Sequence, residues 1–427
     1  MSTDSTPNGT QSGFSKLCVV GLGYVGLPTA AVFASRGLDV VGFDVNADTV
    51  ALVNDGQVHI VEPDLDILVN GAVARGKLRA TTKAEAADVF ILAVPTPFTN
   101  GKKPDLSYLE SAVRTIAPVL ATGNLVILES TSPVGTTDRV SEWLAALRPD
   151  LKLPHNHGEK SDVCVAHSPE RVLPGRVLLE LTINDRVVGG LTRHCAEQAA
   201  AFYKLAINGR CLMTTARTAE LVKLAENAYR DVNIAFANEL SIVSDELGVD
   251  TWEAIKLANH HPRVNILQPG PGVGGHCIAV DPWFIVNSAP DSTPLIQAAR
   301  GVNDGKPGRI VEAVKAITND MDNPTIACLG LAYKADIDDL RESPAVDITR
   351  TIAGQTNCTV LVVEPHIQSL PRGLSEMNNV RLADLQRAYD DADVIVLLTD
   401  HSRFRDLPPV PRTDQKVIDT RGAWRKT

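Results

Sequence analysis

The sequence predicts an α/β protein in which two doubly wound domains are joined by a long central helix. Short apolar strands alternate with helical segments before residue 215 and again after residue 320. Between them, apolar residues recur at helical spacing over roughly 30 residues, as in a domain-connecting helix. We predict a disordered tail at residues 1–15, a first α/β domain at 16–215, a central helical segment at 216–320 and a second α/β domain at 321–427.

Composition and charge exclude several classes of protein. The 427 residues are 44% hydrophobic and 22% charged, as in an ordinary globular protein. A net charge of −10 without a long basic run argues against nucleic acid and anionic membrane as partners. Apolar runs fall short of the ~20 residues of a membrane span, and Met1–Ser15 lacks the apolar core of a signal peptide.

The cysteines and histidines favour reduced thiols and no metal. None of the seven cysteines forms a CxxC pair, which fits a cytoplasmic protein. Cys18, Cys164 and Cys328 lie in apolar strand-like runs and are expected to be buried. His155 and His157 lack further ligands nearby, so we expect a solvated loop there and no metal site.

A glycine fingerprint follows the first strand. Gly21-Leu-Gly-Tyr-Val-Gly26 separates strand Lys16–Val20 from a helix at residues 29–36, and a second strand, predicted at residues 39–43, is followed by Asp44. Gly21 makes the tight turn, Gly23 admits a pyrophosphate and Gly26 lets helix and strand pack closely. Asp44 would bind ribose hydroxyls and repel a 2′-phosphate. The pattern therefore predicts a Rossmann-like domain that binds NAD in preference to NADP.

Two further buried strands end in polar turns. The strands are predicted at residues 88–94 and 125–129. Because ligands bind at the carboxyl ends of parallel strands, Thr96 and Thr131 should line the nicotinamide side. The alternative is that each threonine caps a following helix.

The strand within residues 162–167 is followed by Glu170 and Arg171. Glu170 could act on a water or a proton, and Arg171 could neutralise a substrate phosphate. Both could equally be ordinary surface residues.

A long helix is predicted from Arg217 to Gly248. Lys223, Asn227 and the Arg230/Asp231 pair share one of its faces. Partial burial would favour the neutral amine of Lys223, which is then a usable base. A solvated polar stripe is the alternative.

The glycine-rich segment Gly270–Trp283 contains one cysteine, Cys277. A thiol among backbone N–H groups and near a cation can ionise and attack carbon. Asp281, four residues on, could handle water, so the pair suggests a thioester that is made and then hydrolysed. The alternative is a small buried side chain. Upstream, Arg263 assisted by His261 is a candidate for anion binding.

The last ~100 residues repeat the strand–helix theme without the glycine fingerprint. Strands are predicted at residues 325–329, 359–364, 393–398 and 416–419, and a helix begins at Pro344. Lys334 and Arg341 are placed to contact an anion. Two such halves predict a cleft that takes a small ligand.

Taken together, residues 16 to 425 resemble the UDP-glucose/GDP-mannose dehydrogenase family. The resemblance implies a four-electron oxidation of a sugar CH₂OH to a carboxylate, with two NAD used in one site. The segments that carry it are GLGYVGLPTAA, HIVEPDL, VPTPF, LESTSPVGTT, PERVLPG, RDVNIAFANEL, NHHPRVNILQPGPGVGGHCIAVDPWFI and DIDDLRESPA.

The resemblance also implies roles for individual residues. Lys223 would be the acid or base for the C6 hydroxyl, and Asn227 would hold the oxyanion. Cys277 would carry the thiohemiacetal and thioester, and Asp281, with Glu170 and Thr131, would position the hydrolytic water. The implied NAD-binding residues are Gly21, Gly23, Tyr24, Val25, Gly26, Asp44, Thr96, Thr131 and Arg341. The implied substrate-binding residues are Arg171, Val172, Lys223, Asn227, Arg230, His261, Arg263, Gly274, Tyr333, Lys334 and Arg421.

The same resemblance implies a homodimer or larger homo-oligomer, in which the central helix pairs and His261 and Arg263 reach the neighbouring subunit's UDP-sugar. UDP-glucose enzymes typically read Gly-Gly-Ser-Cys-Phe-Pro-Lys-Asp at the cysteine, whereas this chain has His276, Ala279 and Val280. These residues favour UDP-N-acetylmannosamine as the substrate, followed by UDP-N-acetylglucosamine and then UDP-glucose. A catalytically dead sensor of NAD and nucleotide sugar is the alternative from another class, and the joint presence of the catalytic residues argues against it.

Overall fold

The computed structural model describes residues 13–99, 101–173, 175–275, 277–355 and 357–425. Most of the tail predicted at residues 1–15, together with His276, lies outside the described residues. Contacts divide the chain into two compact units. The first runs to Ala225 and includes Trp283–Ser288, and the second comprises Glu226–Pro282 and the chain from Ala289 onward. The finer division at residues 215 and 320 stays a prediction.

Within the described residues, the first unit holds a sheet of eight strands. They are β1 (Lys16–Val20), β2 (Asp39–Phe43), β3 (Leu78–Thr81), β4 (Val89–Leu92), β5 (Leu125–Leu128), β6 (Cys164–His167), β7 (Arg186–Gly190) and β8 (Cys211–Thr215). Their order is β3-β2-β1-β4-β5-β6-β7-β8. Every neighbouring pair is parallel except β6 and β7. The first six strands have the order of a dinucleotide-binding sheet, which confirms the predicted fold class for this half.

Helices cover both faces of this sheet. They are α1 (Gly26–Ser35), α2 (Ala47–Asn54), α3 (Leu65–Ala74), α4 (Ser107–Ile116), α5 (Thr136–Leu147), α6 (Pro154–His157), α7 (Val177–Ile183) and α8 (Arg193–Tyr203). Successive residues of β1 enter opposite cores: Leu17 and Val19 pack in one, Cys18 and Val20 in the other. Burial raises the pKa of Cys18 to about 12, so this thiol is inert packing, as predicted.

The central helix is present as α9 (Ala216–Leu247), one residue from the predicted bounds at each end. After it come α10 (Thr251–Ala258), α11 (Asp281–Ser288) and α12 (Pro294–Thr318). The sequence did not predict α12, because Gly301, Gly305, Pro307 and Gly308 interrupt its pattern.

The second unit contains a five-stranded sheet within the part of the chain that the structure describes. The strands are β9 (Thr325–Leu329), β10 (Thr359–Val363), β11 (Val380–Leu382), β12 (Val394–Leu397) and β13 (Lys416–Asp419). All neighbours are parallel in the order β11-β10-β9-β12-β13. The helices of this α/β half are α13 (Pro344–Gln355), α14 (Leu385–Asp391) and α15 (Ser402–Asp406). The prediction of a second Rossmann-like sheet, with Pro344 opening a helix, is confirmed.

Two local predictions need correction. Helix α1 begins at Gly26, three residues before the predicted start, so the last glycine of the fingerprint belongs to the helix. The segment expected to be a solvated loop contains α6, which starts at Pro154, a residue suited to the first helical position. The ring Nδ1 of His155 lies 2.7 Å from the hydroxyl of buried Ser141.

None of the helices in the described residues combines the length and apolar character that crossing a bilayer requires. All seven cysteines are present as thiols and not as disulfides. Cys328, like Cys18, is fully buried, and Cys164 is 9% exposed, which confirms their predicted burial.

Candidate active site

The glycine fingerprint forms the turn between β1 and α1. Gly21 has a φ of +93°, and its N–H donates to the carbonyl of Phe43 at 2.8 Å. A Cβ at Gly21 would lie 2.7 Å from the Ala93 oxygen, and one at Gly26 would lie 1.8 Å from the Gly21 oxygen. A Cβ at Gly23 would meet nothing within 4 Å. Packing of the protein itself therefore explains Gly21 and Gly26, whereas the space beside the Gly23 backbone is open.

The surroundings of this turn fit a dinucleotide. Helix α1 has no side-chain cap at Val25, so its first N–H groups are suited to bind phosphate. The Asp44 carboxylate accepts hydrogen bonds from the N–H groups of Leu22 and Asn46, both at 2.9 Å. It is thereby held beside the glycine turn, where a ribose would follow the pyrophosphate. Tyr24, in the same turn, is 48% exposed.

Thr96 and Thr131 meet at the carboxyl ends of β4 and β5. The Thr96 hydroxyl donates to the Thr131 carbonyl at 2.5 Å. Neither threonine caps a helix, since α4 begins after Leu106 and α5 after Gly135. The buried Glu220 carboxylate accepts the N–H groups of Gly135 and Thr137 instead. The capping alternative is therefore wrong for both threonines.

Glu170 belongs to a buried charge network, so the surface alternative is wrong for this residue. Arg186 Nη2 lies 3.1 Å from Glu170 Oε2, and Arg186 Nη1 lies 3.1 Å from Glu129 Oε1. The Tyr203 hydroxyl donates to Glu129 Oε1 at 2.7 Å. Burial, despite the Arg186 cation, raises the pKa of Glu129. The network fixes the side chain of Glu170 next to the end of β6.

Arg171 and Val172 follow Glu170 in the chain. Arg171 is half-buried, and its Nη1 donates to the carbonyl of Asp185 at 3.4 Å. Val172 packs against the core on the α1 side of the sheet. Their predicted contacts to the substrate remain predictions.

The predicted polar face of α9 exists and is partly buried. Lys223 is half-buried, and Asn227, one turn later, is 8% exposed. Asp231 is fully buried, whereas its neighbour Arg230 is exposed. A solvated stripe is thus the wrong description of this face from Asn227 onward. The Asn227 amide donates to Asp281 Oδ2 at 2.5 Å.

Cys277 and Asp281 are joined by a single turn. The Cys277 carbonyl accepts hydrogen bonds from the N–H groups of Val280 at 3.0 Å and of Asp281 at 2.8 Å. Asp281 is the first residue of α11 and is 3% exposed. Cys277 is only half-buried, unlike the packed thiols of Cys18 and Cys328. The alternative of a buried core cysteine is therefore wrong for Cys277.

The loop before Cys277 packs on the segment that follows β9. A Cβ at Gly274 would lie 2.5 Å from the Glu342 oxygen, and one at Gly275 would lie 2.9 Å from the ring of Tyr333. Gly270, at the start of the loop, lies against the guanidinium of Arg421. Three predicted substrate residues, Gly274, Tyr333 and Arg421, are thus brought together around this loop.

The remaining predicted anion-binding residues lie on the surface. Lys334, His261 and Arg263 are exposed. Arg341 is exposed and forms a two-pronged ion pair with Asp339, at 2.9 and 2.6 Å. The Arg421 Nε donates to Asp400 Oδ1 at 2.9 Å.

The second sheet has a glycine turn like that of the first, but the carboxylate beside this turn is buried and paired. Gly330, with a φ of +88°, donates to the Val363 carbonyl at 2.8 Å, as Gly21 does to Phe43. Glu364 occupies the place of Asp44 and accepts the N–H groups of Leu331 and Ala332. It is 5% exposed and lies 3.0 Å from the buried His401 Nε2. Glu364 is thus buried and paired, whereas Asp44 is half-buried, so the two carboxylates differ as the two turn sequences do.

Among the described residues, one group offers three ligand atoms of the kind that bind metals: Asp336, His366 and His401. His401 Nδ1 accepts the N–H of Asp336 at 2.9 Å, and its Nε2 faces Glu364. Both ring nitrogens are therefore engaged, and the group is not a convincing metal site.

Sequence reasoning missed the partners that fix the site. Arg186 is the first residue of an apolar strand, and Glu129 follows another. A charged residue next to a buried apolar run is the sequence feature that could have indicated a buried ion pair. Asp231, Arg300 and Asn303 form a second buried network, for which no local signal exists because α12 itself was not predicted.

Comparison with known proteins agrees with the geometry. The chain matches the NAD-binding domain of the UDP-glucose/GDP-mannose dehydrogenase family over residues 15–207, its central domain over 217–305 and its UDP-binding domain over 327–426. It is 59% identical to an NDP-N-acetyl-D-galactosaminuronic acid dehydrogenase of Ralstonia nicotianae, with 96% of each chain covered. It is 57% identical to a UDP-N-acetyl-D-mannosamine dehydrogenase of Campylobacter jejuni, covering 92% of this chain and 96% of that one.

A solved structure gives the same answer for the fold. The UDP-D-ManNAc dehydrogenase of Pyrococcus horikoshii superposes with a TM-score of 0.85 at 38% identity, with 96% of each chain covered. The glycine turn with Asp44, the half-buried Cys277 beside Asp281, and these matches along nearly the whole chain lead to one conclusion. The chain belongs to the UDP-glucose/GDP-mannose dehydrogenase family of NAD-dependent oxidoreductases that act on nucleotide sugars.

Proposed function

We propose that this enzyme oxidises C6 of UDP-N-acetyl-D-mannosamine to the carboxylate and so makes UDP-N-acetyl-D-mannosaminuronate for a surface polysaccharide. The observation that carries the proposal is the Cys277 turn. A half-buried thiol is followed by a buried carboxylate, Asp281, which is held by the amide of Asn227. This is the residue set needed to form a covalent thioester and then hydrolyse it.

The protein groups act in sequence on C6. NAD, when bound, accepts a hydride in each of the two oxidations. In the first, Lys223 takes the hydroxyl proton. Asn227 uses the amide hydrogen not engaged by Asp281 to stabilise the developing oxyanion. The Cys277 thiolate then adds to the aldehyde carbon: a C–S bond forms, and the oxygen takes back the proton that Lys223 removed. This step is necessary because an aldehyde is a poor hydride donor until a nucleophile has added to it.

Hydrolysis completes the reaction. The second oxidation converts the thiohemiacetal into a thioester, and water attacks its carbon. Asp281 accepts a proton from that water, the C–S bond breaks, and Cys277 leaves as the thiolate. Glu170 and Thr131 are assigned to the same water by resemblance. Each sugar thus consumes one water and two NAD.

A second substrate has support of its own. The relative from Ralstonia nicotianae, at 59% identity, is named for an N-acetyl-galactosaminuronic product, and the one from Campylobacter jejuni, at 57%, for N-acetyl-mannosamine. Sequence identities of 59% and 57% are too close to decide between the two sugars. Both relatives are named for a sugar that carries an N-acetyl group. The second candidate is therefore oxidation of UDP-N-acetylgalactosamine by the same steps.

Turnover on four substrates tests the proposal. UDP-N-acetylmannosamine, UDP-N-acetylgalactosamine, UDP-N-acetylglucosamine and UDP-glucose would be compared by kcat/KM under identical conditions. We expect the mannosamine sugar to give the highest value by at least about tenfold, which corresponds to roughly 1.4 kcal/mol. The highest value on the galactosamine sugar would establish the second candidate, and a preference for UDP-glucose would contradict both.

The glycine turn supplies a prediction about NAD binding. Gly23→Ala should fold like the wild type, because a Cβ there meets no protein atom within 4 Å. NAD affinity should fall by about tenfold or more, because the added methyl group would occupy space that the pyrophosphate needs. Gly26→Ala is the matched contrast: its Cβ would overlap the Gly21 oxygen, so thermal stability should fall. Calorimetric NAD titration and thermal unfolding measure the two effects. Unchanged NAD affinity in Gly23→Ala would show that the pyrophosphate does not bind at this turn.

We also propose a homodimer formed through α9, located in the cytoplasm, where free thiols stay reduced. Tyr229, Phe236 and Val243 recur every seven residues on α9 and are 71%, 55% and 42% exposed. Such an apolar stripe is typical of a helix that pairs with another. In the dimer, His261 and Arg263 would reach the partner's substrate. The roles of the three predicted segments, NAD binding by 16–215, pairing by 216–320 and UDP binding by 321–427, belong to this proposal.

Light scattering tests the dimer. The wild type should have twice the mass of the chain, and Phe236→Glu should shift it to monomer or weaken association by at least about 2 kcal/mol, because a charge would be buried in the interface. Glu239→Lys, also exposed on α9, is the control for charge alone. A wild-type monomer at micromolar concentration would rule out the dimer.

A further inference from the structure

The buried side of α9 is polar where a helix normally presents an apolar stripe. Asp231 and Asn238 are fully buried, and Ser241 is 4% exposed. Burying such groups is unfavourable unless each finds a hydrogen-bond partner. Their partners come from α12, whose facing residues Arg300, Asn303 and Lys306 are 2%, 1% and 7% exposed. We call these six residues the α9–α12 polar seam.

The seam begins at a carboxylate. Arg300 Nη1 donates to Asp231 Oδ1 at 2.6 Å, and the Asn303 amide donates to the same oxygen at 2.8 Å. A carboxylate oxygen paired in this way acts as an acceptor, so it fixes which end of the Asn303 side chain points toward α9. The NH₂ group of Asn303 faces Asp231, and its oxygen faces the other way.

Asn303 then orients Asn238, which reaches the cysteine loop. The Asn238 NH₂ group donates to Asn303 Oδ1 at 2.9 Å, so its own oxygen is turned outward. That oxygen accepts the N–H of Gly270 at 2.9 Å. Gly270 is buried and is the first residue of the loop that carries Cys277. The side-chain and carbonyl oxygens of Asp231 thus orient the two amides in turn, and the last of them presents an acceptor to the loop.

Helix α9 holds this loop at both ends. Asn238 binds Gly270 at its start, and Asn227 binds Asp281 at its end. The two asparagines are eleven residues apart in one helix, or about 16 Å along its axis. Between them, the loop is packed against Tyr333 and Glu342 without space for a Cβ at Gly274. A change at Asn238 therefore removes the hydrogen bond that α9 makes to the start of this loop.

We propose that Asn238, oriented by Asn303 and Asp231, is a positioning residue for the Cys277 nucleophile. It acts through the backbone of Gly270 and does not touch the reacting atoms. The inference rests on the proposed function of Cys277. It extends that function to Asp231, Asn303 and Asn238, which place the thiol for attack on C6. Displacements of about 1 Å in such a constellation cost on the order of 100-fold in rate.

Asn238→Leu tests the proposal, because leucine has a similar volume but neither donates nor accepts. We expect kcat to fall by about 10- to 100-fold with NAD affinity unchanged within about twofold. We also expect the rate of Cys277 alkylation by iodoacetamide, followed by mass spectrometry without substrate, to change by about fivefold or more. Asn238→Asp keeps the acceptor for Gly270 and should retain more activity than Asn238→Leu. If the leucine variant does not fold, Asn238→Ala takes its place.

Ser241→Ala is the matched control. It removes the acceptor of the buried Lys306 ammonium, at 2.5 Å, and so damages the same seam without touching Gly270. It should lower thermal stability but leave kcat and Cys277 alkylation as in the wild type. Equal effects of Ser241→Ala and Asn238→Leu on thermal stability, kcat and Cys277 alkylation would show that Asn238 has a purely structural role. That result would overturn the proposal. The alkylation rate reads the thiol directly, so it tests positioning even if Cys277 proves not to be the nucleophile, an outcome that full turnover of Cys277→Ser would reveal.

Discussion

Cys277→Ser should lower uronate formation by about 10³-fold or more, while NAD binding stays within about twofold of the wild type. A serine hydroxyl does not ionise at neutral pH and adds poorly to an aldehyde, so the second oxidation loses its substrate. The first oxidation does not need the thiol, and released aldehyde should accumulate with at most one NADH per sugar. Product analysis by mass spectrometry, together with NADH absorbance in a single turnover, measures both steps.

Cys211→Ser is the control for this substitution. Cys211 is the other half-buried thiol, and it lies in β8, outside the proposed catalytic set. Its replacement should leave the yield of uronate unchanged. Normal turnover of Cys277→Ser would mean that the reaction proceeds without a covalent intermediate on this residue.

Arg186→Met should destabilise the protein by about 3–5 kcal/mol, because it leaves the buried carboxyls of Glu129 and Glu170 without their cation. Burial already raises the pKa of Glu129 above its ordinary value of 4.5, so the folded variant favours protonated Glu129. As pH rises above 4.5, Glu129 loses its proton in the unfolded chain but keeps it in the folded variant, so the free energy of unfolding of the variant falls. The loss of stability should therefore be larger at pH 8 than at pH 5, as measured by urea unfolding at both values.

Two further variants isolate the charge effect. Arg193→Met removes an exposed partner of Glu197, with the arginine side chain 87% exposed, and should change stability by less than about 0.5 kcal/mol. Adding Glu129→Gln to Arg186→Met removes one of the two uncompensated acids and should recover part of the stability. No recovery in this double variant, or a cost independent of pH, would contradict the account of Glu129.

The parts of the fold that local sequence determines were predicted well. Strands β1, β2, β9 and β13 have the predicted bounds, because apolar and β-branched runs between polar turns specify buried parallel strands. The glycine turn was also predictable, since overlap with neighbouring backbone atoms permits only glycine at positions 21 and 26.

Elements that depend on distant partners could not be read from the chain. Strand β8 lies at the sheet edge and is half exposed, and its apolar run is only three residues long. Helix α12 forms across three glycines and a proline because Arg300 and Asn303 pair with Asp231, about 70 residues away. For the same reason the sequence identified Asn227 and Cys277 but gave no reason to single out Asn238, whose role depends on its partners in α12 and in the cysteine loop.

The central claim is a four-electron oxidation completed on one protein through Cys277. The most direct test is the amount of NADH formed per UDP-N-acetylmannosamine consumed, measured by absorbance and by quantitative chromatography of the sugar nucleotides in one reaction. We expect a ratio of two, with the uronate as the product and no free aldehyde. A stable ratio of one, with the aldehyde as the product, would contradict it.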